Sequence, residues 1–241
     1  MEDLAVVIPA RIGSTRLPQK PLREICGRPL IVWVVEAVKR VVPEVFVATD
    51  SKEVVRAVEV AGAKGILTPA ELPSGTDRVY HAARELPFKY IVNVQGDEPF
   101  IREEHIKAVY KGLKEGFKFT TAATPFRSRE AVMDPSKVKV VLDRKGRALY
   151  FSRSPIPFTR DGEINPENYL KHIGIYGFTK ESLERFVSWK EGRLERIEKL
   201  EQLRILENGE EIYVSVVEHD SFGVDTEEDL KLAEKMVKGE V

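Results

Sequence analysis

The chain has 241 residues, enough to form one large domain with a full hydrophobic core. Its 38 basic and 39 acidic residues almost cancel, which excludes a nucleic-acid or membrane binder that works through overall charge, so any anion site must be a local cluster. One cysteine excludes an internal disulfide and a multi-cysteine metal site, as is typical of a reducing compartment.

The N-terminus and the longest apolar stretch favour a cytoplasmic protein. Met1-Glu2-Asp3 begins with acidic residues, so we expect no signal peptide. The apolar stretch at 29–38 contains Glu36 and is too short to cross a bilayer. We therefore expect a cytoplasmic protein with no nucleic-acid or membrane partner.

The first half of the chain alternates between strand and helix patterns. Strands are predicted at 4–8, 45–49, 65–67, 90–94 and 119–123. Helices are predicted at 30–40, 52–61, 76–85 and 103–115. This alternation predicts an α/β fold with a mostly parallel central sheet and helices on both faces. Ser51 or Asp50 is a candidate N-cap of the second helix, and Gly62 is its candidate C-cap.

The pattern changes near residue 137. Residues 137–142 and 147–151 predict a β-hairpin with Gly146 in its turn. Three prolines in 155–169 indicate an ordered loop or a flap. We expect residues 1–241 to form a single domain, in which roughly 137–178 is a small β-rich extension.

The remaining elements follow in order. Residues 171–178 alternate as a strand, and regularly spaced aliphatic residues predict one amphipathic helix over 194–207. A further strand is predicted at 212–217. The last helix begins after Thr226, with Asp229 at the spacing of a capping box.

A turn rich in basic and hydroxyl residues follows the first predicted strand. This basic turn, residues 8–22, reads Ile8-Pro9-Ala10-Arg11, Ser14-Thr15-Arg16-Leu17-Pro18 and Lys20-Pro21-Leu22 around Ile12, Gly13 and Gln19. Backbone N–H groups, hydroxyls and positive charge at the carboxyl end of a parallel strand suit a polyphosphate. The turn lacks the Gly-Lys-Ser/Thr end of a Walker loop, and on its own it could equally be a solvated surface.

Two aspartates each follow an extended segment. Asp97 lies in Gly96-Asp97-Glu98-Pro99 after the predicted strand 90–94, and Asp225 follows Val224. Mg²⁺ commonly takes one or two protein carboxylates and completes its octahedron with phosphate and water oxygens. Asp97 could therefore hold Mg²⁺ with Asp225 as the best candidate for a second ligand, although Asp225 taken alone fits a helix N-cap better.

Weaker signals lie elsewhere. The loop at 73–78 opens a helix, whose N-terminus could receive an anion or the edge of a base, or could simply be capped by Ser74 or Thr76. Arg153 could bind a carboxylate or lie on the surface, and His172 could be an ordinary half-buried histidine. The chain has no nucleophile elbow, His-x-x-x-His or Rossmann glycine pattern, so a hydrolase, a zinc enzyme or a dehydrogenase has little support.

Taken in order from residue 4 to about residue 230, these segments resemble the 3-deoxy-D-manno-octulosonate (Kdo) cytidylyltransferases, also called CMP-Kdo synthetases. The matching segments are the basic turn, Ala48-Thr49-Asp50, Ser74-Gly75-Thr76-Asp77-Arg78, Asn93-Val94-Gln95-Gly96-Asp97-Glu98-Pro99, Ser152-Arg153 with Ile156-Pro157, His172-Ile173-Gly174-Ile175-Tyr176, Leu200-Glu201-Gln202-Leu203-Arg204 with Leu206-Glu207, and Val224-Asp225-Thr226. Each segment is a weak signal alone, but the ordered set is highly specific.

The resemblance implies a Rossmann-like nucleotidyltransferase fold and a homodimer in which the β-rich extension takes part in the contact. It also implies Mg²⁺-dependent transfer of CMP from CTP to the anomeric hydroxyl of Kdo, with release of pyrophosphate. Such a reaction would activate Kdo for lipopolysaccharide synthesis. The partners would be CTP and Kdo, and the cofactor would be Mg²⁺.

The resemblance also assigns roles to matching positions. The nucleotide would be bound by Arg11, Ser14, Lys20, Ser74, Gly75, Arg78 and Gln95. Asp97 and Asp225 would hold the metal and, with Lys20, form the catalytic set. The sugar acid would be bound by Arg153, His172, Tyr176, Glu201 and Gln202. Arg153 and His172 are the expected cations for the Kdo carboxylate.

Three alternatives stay open. A related enzyme could use another 2-keto sugar acid, such as sialic acid or an amino-substituted Kdo, although sialic-acid enzymes usually lack Ser-Thr-Arg-Leu-Pro and Glu-Gln-Leu-Arg. A sugar-1-phosphate nucleotidyltransferase would have a Gly-rich opening, which this chain lacks. A non-catalytic nucleotide-binding subunit would be expected to lack Asp97 or Asp225, and both are present.

Overall fold

The computed structural model describes residues 1–14 and 16–240, so Thr15 of the basic turn lies outside the described residues. The chain forms two compact units, one made of Met1–Ile106 with Ser221–Val241 and the other of Lys107–Asp220. None of the described helices is long and apolar enough to cross a bilayer. The single domain and its extension at 137–178 stay predictions.

The elements, in chain order, are as follows. The strands are β1 (Leu4–Pro9), β2 (Glu24–Ile25), β3 (Arg28–Pro29), β4 (Val45–Thr49), β5 (Lys64–Leu67), β6 (Tyr90–Val94), β7 (Phe119–Pro125), β8 (Lys139–Leu142), β9 (Ala148–Ser152), β10 (Leu170–Thr179) and β11 (Tyr213–Val216). The helices are α1 (Leu30–Lys39), α2 (Lys52–Val60), α3 (Gly75–Ala83), α4 (Glu103–Lys114), α5 (Arg129–Met133), α6 (Lys180–Ser188), α7 (Arg193–Glu198), α8 (Leu203–Glu207) and α9 (Glu227–Lys238). Single 3₁₀ turns occur at Lys20–Leu22 and Pro166–Asn168.

The first unit contains a parallel sheet in the order β6-β1-β4-β5. Every residue of β4 and β6 is buried, and only Pro9 of β1 is partly exposed. Strands buried on both faces read as continuous apolar runs, which is why the sequence showed runs rather than alternation. The predicted α/β fold with a mostly parallel sheet is confirmed.

The connections place a ligand-binding edge at β1 and β6. The chain runs from β1 through α1 to β4 and through α2 to β5, and then through α3 to β6 on the other side of β1. Because parallel crossovers are right-handed, α3 lies on the opposite face of the sheet from α1 and α2. The strand order therefore reverses at β1 and β6, and ligands bind at the carboxyl ends of strands where this happens.

The second unit contains a mixed sheet. Strand β10 pairs antiparallel with β7 and β8, β8 pairs antiparallel with β9, and β11 pairs parallel with β7. The predicted hairpin is confirmed as β8 and β9, and the predicted strand at 171–178 is the central part of β10. The helices α5 and α6 were not predicted from the sequence.

The predicted single helix over 194–207 is wrong. The chain forms α7 and α8 instead, and Lys199 between them has a φ of 55°. The backbone oxygens of Glu198 and Lys199, which a continuing helix would use, instead accept hydrogen bonds from Arg153. As a result Ile197, which the apolar spacing placed inward, is 66% exposed.

Three predicted helix ends are confirmed. The Ser51 hydroxyl accepts a hydrogen bond from the backbone N–H of Val54 at the start of α2, and Gly62 after that helix has a φ of 79°. Thr226 and Asp229 form the capping box of α9. These local signals were readable because each depends on residues within one turn of the helix.

Candidate active site

The basic turn is held at its start by a residue that the sequence suggested as a helix cap. The Asp50 carboxylate accepts a hydrogen bond from the backbone N–H of Ile12 at 2.8 Å, whereas Ser51 caps α2. Within the turn, the Ser14 hydroxyl accepts a hydrogen bond from the backbone N–H of Leu17 at 3.4 Å. Arg11 is exposed. Asp50 therefore fixes the course of the backbone where anion binding is predicted.

Arg78 supports Asp50 from below the surface. Its side chain is only 2% exposed, donates to the Thr68 hydroxyl and to the Ala70 carbonyl at 3.4 Å, and approaches the Asp50 carboxylate at 4.0 Å. Burial lowers the pKa of Arg78, and the negative charge of Asp50 opposes that shift. A guanidinium remains protonated at neutral pH under such a shift. Direct contact of Arg78 with a nucleotide stays a prediction.

Gly96 lets its loop approach Pro9 at the end of β1 closely, and Gly75 lies beside the same residue. A Cβ at Gly96 would lie 2.6 Å from the carbonyl oxygen of Pro9, which leaves no room for a side chain. A Cβ at Gly75 would lie 3.5 Å from the Pro9 ring and 3.9 Å from the Gln95 carboxamide oxygen. The structure thus brings Gly75 and Gln95 together beside Pro9.

The side chains beside these two glycines, Ser74 and Gln95, each make local hydrogen bonds. The Ser74 hydroxyl caps α3, accepting from the Asp77 backbone N–H and donating to the Asp77 carboxylate at 2.7 Å. The Gln95 amide donates to the Asn93 carboxamide at 3.1 Å. Capping by Ser74, one of the alternatives from the sequence, is confirmed, and its contact with a nucleotide stays a prediction.

Asp97 and Asp225 meet at one ammonium group. The Lys20 Nζ atom lies 2.5 Å from an oxygen of Asp97 and 2.9 Å from an oxygen of Asp225. The second oxygen of Asp225 lies 3.1 Å from the Arg16 guanidinium. These four residues form a single ion-pair cluster at the carboxyl ends of β1 and β6, in which Lys20 and Asp225 are 205 positions apart in the chain.

Backbone contacts join the segments that carry the two aspartates. The Val224 N–H donates to the Asp97 carbonyl at 2.8 Å, and the Ser221 hydroxyl donates to the Glu98 carboxylate. Thr226, not Asp225, caps α9, so the N-cap alternative for Asp225 is wrong. Its carboxylate is left to face the basic turn.

The cluster suits a divalent cation. Burial alone would lower the pKa of Lys20, but the charge of Asp97 and hydrogen bonds to both carboxylates outweigh that effect and raise it. The carboxylates therefore stabilise positive charge at this position. Among the described residues no group of three or more acidic, histidine or cysteine side chains forms a metal cage. A Mg²⁺ ion here would take its remaining oxygens from phosphate and water, as Mg²⁺ commonly does.

The residues predicted for the sugar acid lie in the second unit. Pairing of β10 with β7 shifts between Ile173 and Tyr176, where three residues of β10 advance against one of β7. This bulge brings the rings of His172 and Tyr176 to 5.4 Å between centroids. In a regular strand, residues four apart would be separated by roughly 13 Å.

Thr121, which the sequence did not single out, holds this bulge. Its hydroxyl lies 2.7 Å from the carbonyl of Ile175 and 2.9 Å from Nε2 of His172. The hydroxyl has one proton, and the nearer carbonyl can only accept it. His172 Nε2 therefore donates to Thr121, and its Nδ1 is a hydrogen-bond acceptor.

The expectation that His172 supplies positive charge is wrong. The residue is 7% exposed, and burial, aided by the charge of Lys171, lowers the pKa of its imidazole to about 3. The ring is therefore neutral at physiological pH. It can accept a hydrogen bond from a hydroxyl but cannot pair with a carboxylate as a cation.

Glu201 and Gln202, which fall inside the single helix predicted over 194–207, lie in the turn between α7 and α8. The Tyr176 hydroxyl donates to the Gln202 carboxamide oxygen at 3.2 Å, and desolvation raises the pKa of that phenol. The Gln202 Nε2 atom is buried and has no hydrogen-bond partner among the described residues. Because buried polar atoms normally have a hydrogen-bond partner, this donor is available to a ligand or a water molecule.

Arg153 supports the same turn. Its guanidinium donates to the carbonyls of Glu198 at 2.7 Å, Pro135 at 3.0 Å and Lys199 at 3.3 Å. The Glu198 carboxylate accepts hydrogen bonds from the Ser152 hydroxyl at 2.7 Å and from the Arg153 backbone N–H at 3.0 Å. Binding of a substrate carboxylate by Arg153 stays a prediction.

The family follows from comparison with known proteins. A sequence profile described as cytidylyltransferase matches residues 5–212. The chain belongs to the cytidylyltransferase family. This family member is 47% identical, over 96% of its length and 89% of the relative, to a 3-deoxy-manno-octulosonate cytidylyltransferase of Koribacter versatilis. It is 46% identical to the enzyme of that name from Thermodesulfovibrio yellowstonii, over 95% of this chain and 96% of the relative.

Solved structures agree. A CMP:2-keto-3-deoxy-manno-octonic acid synthetase complexed with CTP superposes with a TM-score of 0.91 at 38% identity, covering 99% of each chain. A 4-diphosphocytidyl-2C-methyl-D-erythritol synthase from Anaerococcus prevotii shares the fold, with a TM-score of 0.66 at 16% identity and 98% of each chain covered. The predicted resemblance, the fold and the nucleotidyltransferase class are confirmed.

Proposed function

We propose that this family member transfers CMP from CTP to the anomeric hydroxyl of Kdo and releases pyrophosphate. The observation that carries the proposal is the meeting of Asp97 and Asp225 on Lys20 at the end of β1 and β6. It is supported by relatives of 44–47% identity that are named for cytidylyl transfer to 3-deoxy-manno-octulosonate. A solved structure of a related synthetase in complex with CTP supports the nucleotide.

The reaction is an in-line displacement at the α-phosphorus of CTP. A bond forms between the Kdo hydroxyl oxygen and the α-phosphorus, and the bond from that phosphorus to the bridging oxygen of pyrophosphate breaks. The hydroxyl O–H bond also breaks, and its proton is released to solvent. Such transfers depend on positioning and charge neutralisation more than on covalent help. The backbone of the basic turn, with Arg11 and Ser14, would hold the triphosphate. Lys20 would neutralise charge that accumulates on the leaving pyrophosphate.

Asp97 and Asp225 would hold Mg²⁺ in this proposal. Bound there, the ion would supply Lewis-acid neutralisation of phosphate charge and would lower the pKa of a hydroxyl. The two carboxylates already converge on one positive group, which is the arrangement that a divalent ion requires. The role of the two carboxylates is to hold the positive charge of the ion at the carboxyl ends of β1 and β6.

The second unit would supply the sugar-acid contacts. His172 would accept a hydrogen bond from a sugar hydroxyl through Nδ1, because its ring is neutral. The buried Nε2 of Gln202 would donate to an oxygen of the substrate. The compensating positive charge for the Kdo carboxylate then falls to Arg153 and not to His172.

Neutral replacement of either aspartate tests the metal assignment. Asp97→Asn and Asp225→Asn should each lower kcat by ~10²–10³ or more, because each removes a preorganised charge from the reacting centre. Pyrophosphate release from CTP and Kdo measures the effect, and circular dichroism checks the fold. Glu227→Gln is the matched control, because its exposed carboxylate pairs with Arg23 outside the cluster. Full activity of either aspartate variant would refute the assignment.

A panel of 2-keto sugar acids tests the substrate. Kdo, an amino-substituted Kdo and sialic acid are compared under the same concentrations of CTP and Mg²⁺. We expect the highest kcat/KM with Kdo. A higher kcat/KM with another sugar acid of the panel would mean that the reaction type is right and that the acceptor is not Kdo.

The cellular setting is also a proposal. We expect the enzyme to be a cytoplasmic homodimer that activates Kdo for lipopolysaccharide synthesis. Light scattering coupled to size-exclusion chromatography measures the oligomeric state directly. A monomer at assay concentration would contradict the dimer without affecting the chemistry.

A further inference from the structure

We propose that Lys20 prevents Asp97 and Asp225 from binding a free divalent cation. The cation then reaches these two carboxylates only as its complex with the nucleotide. The inference rests on the proposed function and makes it more specific. It identifies the metal–nucleotide complex, not the free metal followed by CTP, as the species that the site accepts.

The first argument is steric. Lys20 Nζ lies 2.5 Å from Asp97 and 2.9 Å from Asp225, so it occupies the space between their oxygens. A Mg²⁺ ion held by both carboxylates would need oxygens at about 2.0–2.1 Å in that same space. The ammonium and the cation therefore exclude each other.

The second argument is electrostatic. Both oxygens of Asp225 face positive groups, one the Lys20 ammonium and the other the Arg16 guanidinium at 3.1 Å. The Lys20 side chain is 18% exposed and that of Asp97 is 27% exposed, so salt screens their interaction less than it screens a surface pair. A free cation would have to displace one positive charge and approach a second.

The triphosphate supplies what a free cation lacks. Lys20 and Arg16 belong to the basic turn, whose backbone and side chains are proposed to bind phosphate. A triphosphate carries more negative charge than the two carboxylates and offers both basic residues an alternative partner. Lys20 has a flexible four-carbon stem and can move between partners. When the nucleotide binds, Lys20 would move to the triphosphate, and the two carboxylates could then bind the cation that the nucleotide carries.

Binding of Mn²⁺ measured by electron paramagnetic resonance, without nucleotide, tests the inference. The wild-type chain should bind Mn²⁺ weakly at this site, and Lys20→Met should bind it at least ten-fold more tightly. Adding CTP to the wild type should make its binding of Mn²⁺ tight. The double variant with Lys20→Met and Asp97→Asn should lose the gain, which assigns the bound ion to the carboxylates.

A charge-matched control separates blocking from general repulsion. Arg11→Met removes one positive charge from the same turn, and no described contact joins Arg11 to either aspartate. It should change the affinity for Mn²⁺ without nucleotide by less than three-fold. Lys20→Gln, which keeps a polar side chain, should resemble Lys20→Met and covers the case in which the methionine variant folds poorly.

The outcomes are distinct. Tight binding of Mn²⁺ by the wild type without CTP, or an equal gain in Arg11→Met, overturns the inference and leaves the proposed function intact. If CTP does not restore Mn²⁺ binding to the wild type and Asp97→Asn remains active, the proposed metal site itself fails.

Discussion

Asp50 contacts the basic turn through one oxygen and faces a buried guanidinium with the other. The backbone N–H of Ile12 lies 2.8 Å from the first oxygen, and Arg78 lies 4.0 Å from the second. A hydrogen bond to a charged group typically contributes about 1.5–3 kcal/mol. Asp50 is therefore a positioning residue for the turn, although it follows β4 and does not belong to the turn itself.

Removing this carboxylate should loosen the turn. Asp50→Ala should raise KM for CTP by roughly ten-fold or more, because about 1.4 kcal/mol of lost positioning energy corresponds to a factor of ten. Steady-state kinetics with varied CTP measures the effect.

Asp50→Asn is the informative companion. It keeps an oxygen for the Ile12 N–H but removes the charge that faces Arg78. We expect a smaller rise in KM together with a lower melting temperature. An unchanged KM in Asp50→Ala would contradict the positioning role.

Two irregular elements shape the second unit. The bulge in β10 brings His172 beside Tyr176, and the break between α7 and α8 places Gln202 within reach of Tyr176. Neither feature follows from hydrophobic spacing, because the aliphatic residues of 194–207 satisfy one long helix and two short ones equally well. The deciding contacts come from Arg153, which binds the backbone at Glu198 and Lys199.

Substitution at Lys199 tests the break. A non-glycine residue at a φ of 55° is strained, so Lys199→Gly should raise the free energy of unfolding by about 0.5 kcal/mol. Lys199→Val should lower it by about 1–2 kcal/mol, since β-branched residues avoid this region. Denaturant unfolding measures both changes. In a continuous helix the glycine variant would instead be less stable by about 1 kcal/mol, and that result would contradict the break.

The stability of the chain against acid depends on a buried imidazole. His172 has a pKa of about 3 when folded and an ordinary value of 6.5 when unfolded. Below pH 6.5 the unfolded chain binds a proton that the folded chain does not. The stabilisation is complete above that pH and is lost progressively as the pH falls toward 3.

Unfolding at pH 7 and pH 5 measures this contribution. The wild type should lose about 2 kcal/mol more than His172→Gln between these pH values, because the variant has no imidazole to protonate at this position. All other titrating groups are shared by the two proteins, so their difference isolates His172. Equal losses would show that the imidazole does not titrate as its burial implies.

The sequence predicted many of the features that depend on neighbouring residues, although it missed the short helices α5 and α6. Buried runs, helix periodicity, the caps at Ser51 and Thr226 and the β8–β9 hairpin all arise from interactions within a few positions, and the family motifs identified the nucleotidyltransferase chemistry. The predicted proximity of Asp97 and Asp225 is confirmed by their shared contact with Lys20, but it depends on distant parts of the chain.

Other features required distant parts of the chain to meet. Asp50 reaches Ile12 across 38 positions, and Lys20 reaches Asp97 across 77 and Asp225 across 205. The neutrality of His172 arises from burial among side chains that the strand pattern did not identify. Hydrogen bonding and desolvation depend on distances in space. Periodicity along the chain does not give those distances, because they depend on the order of the strands in the sheet.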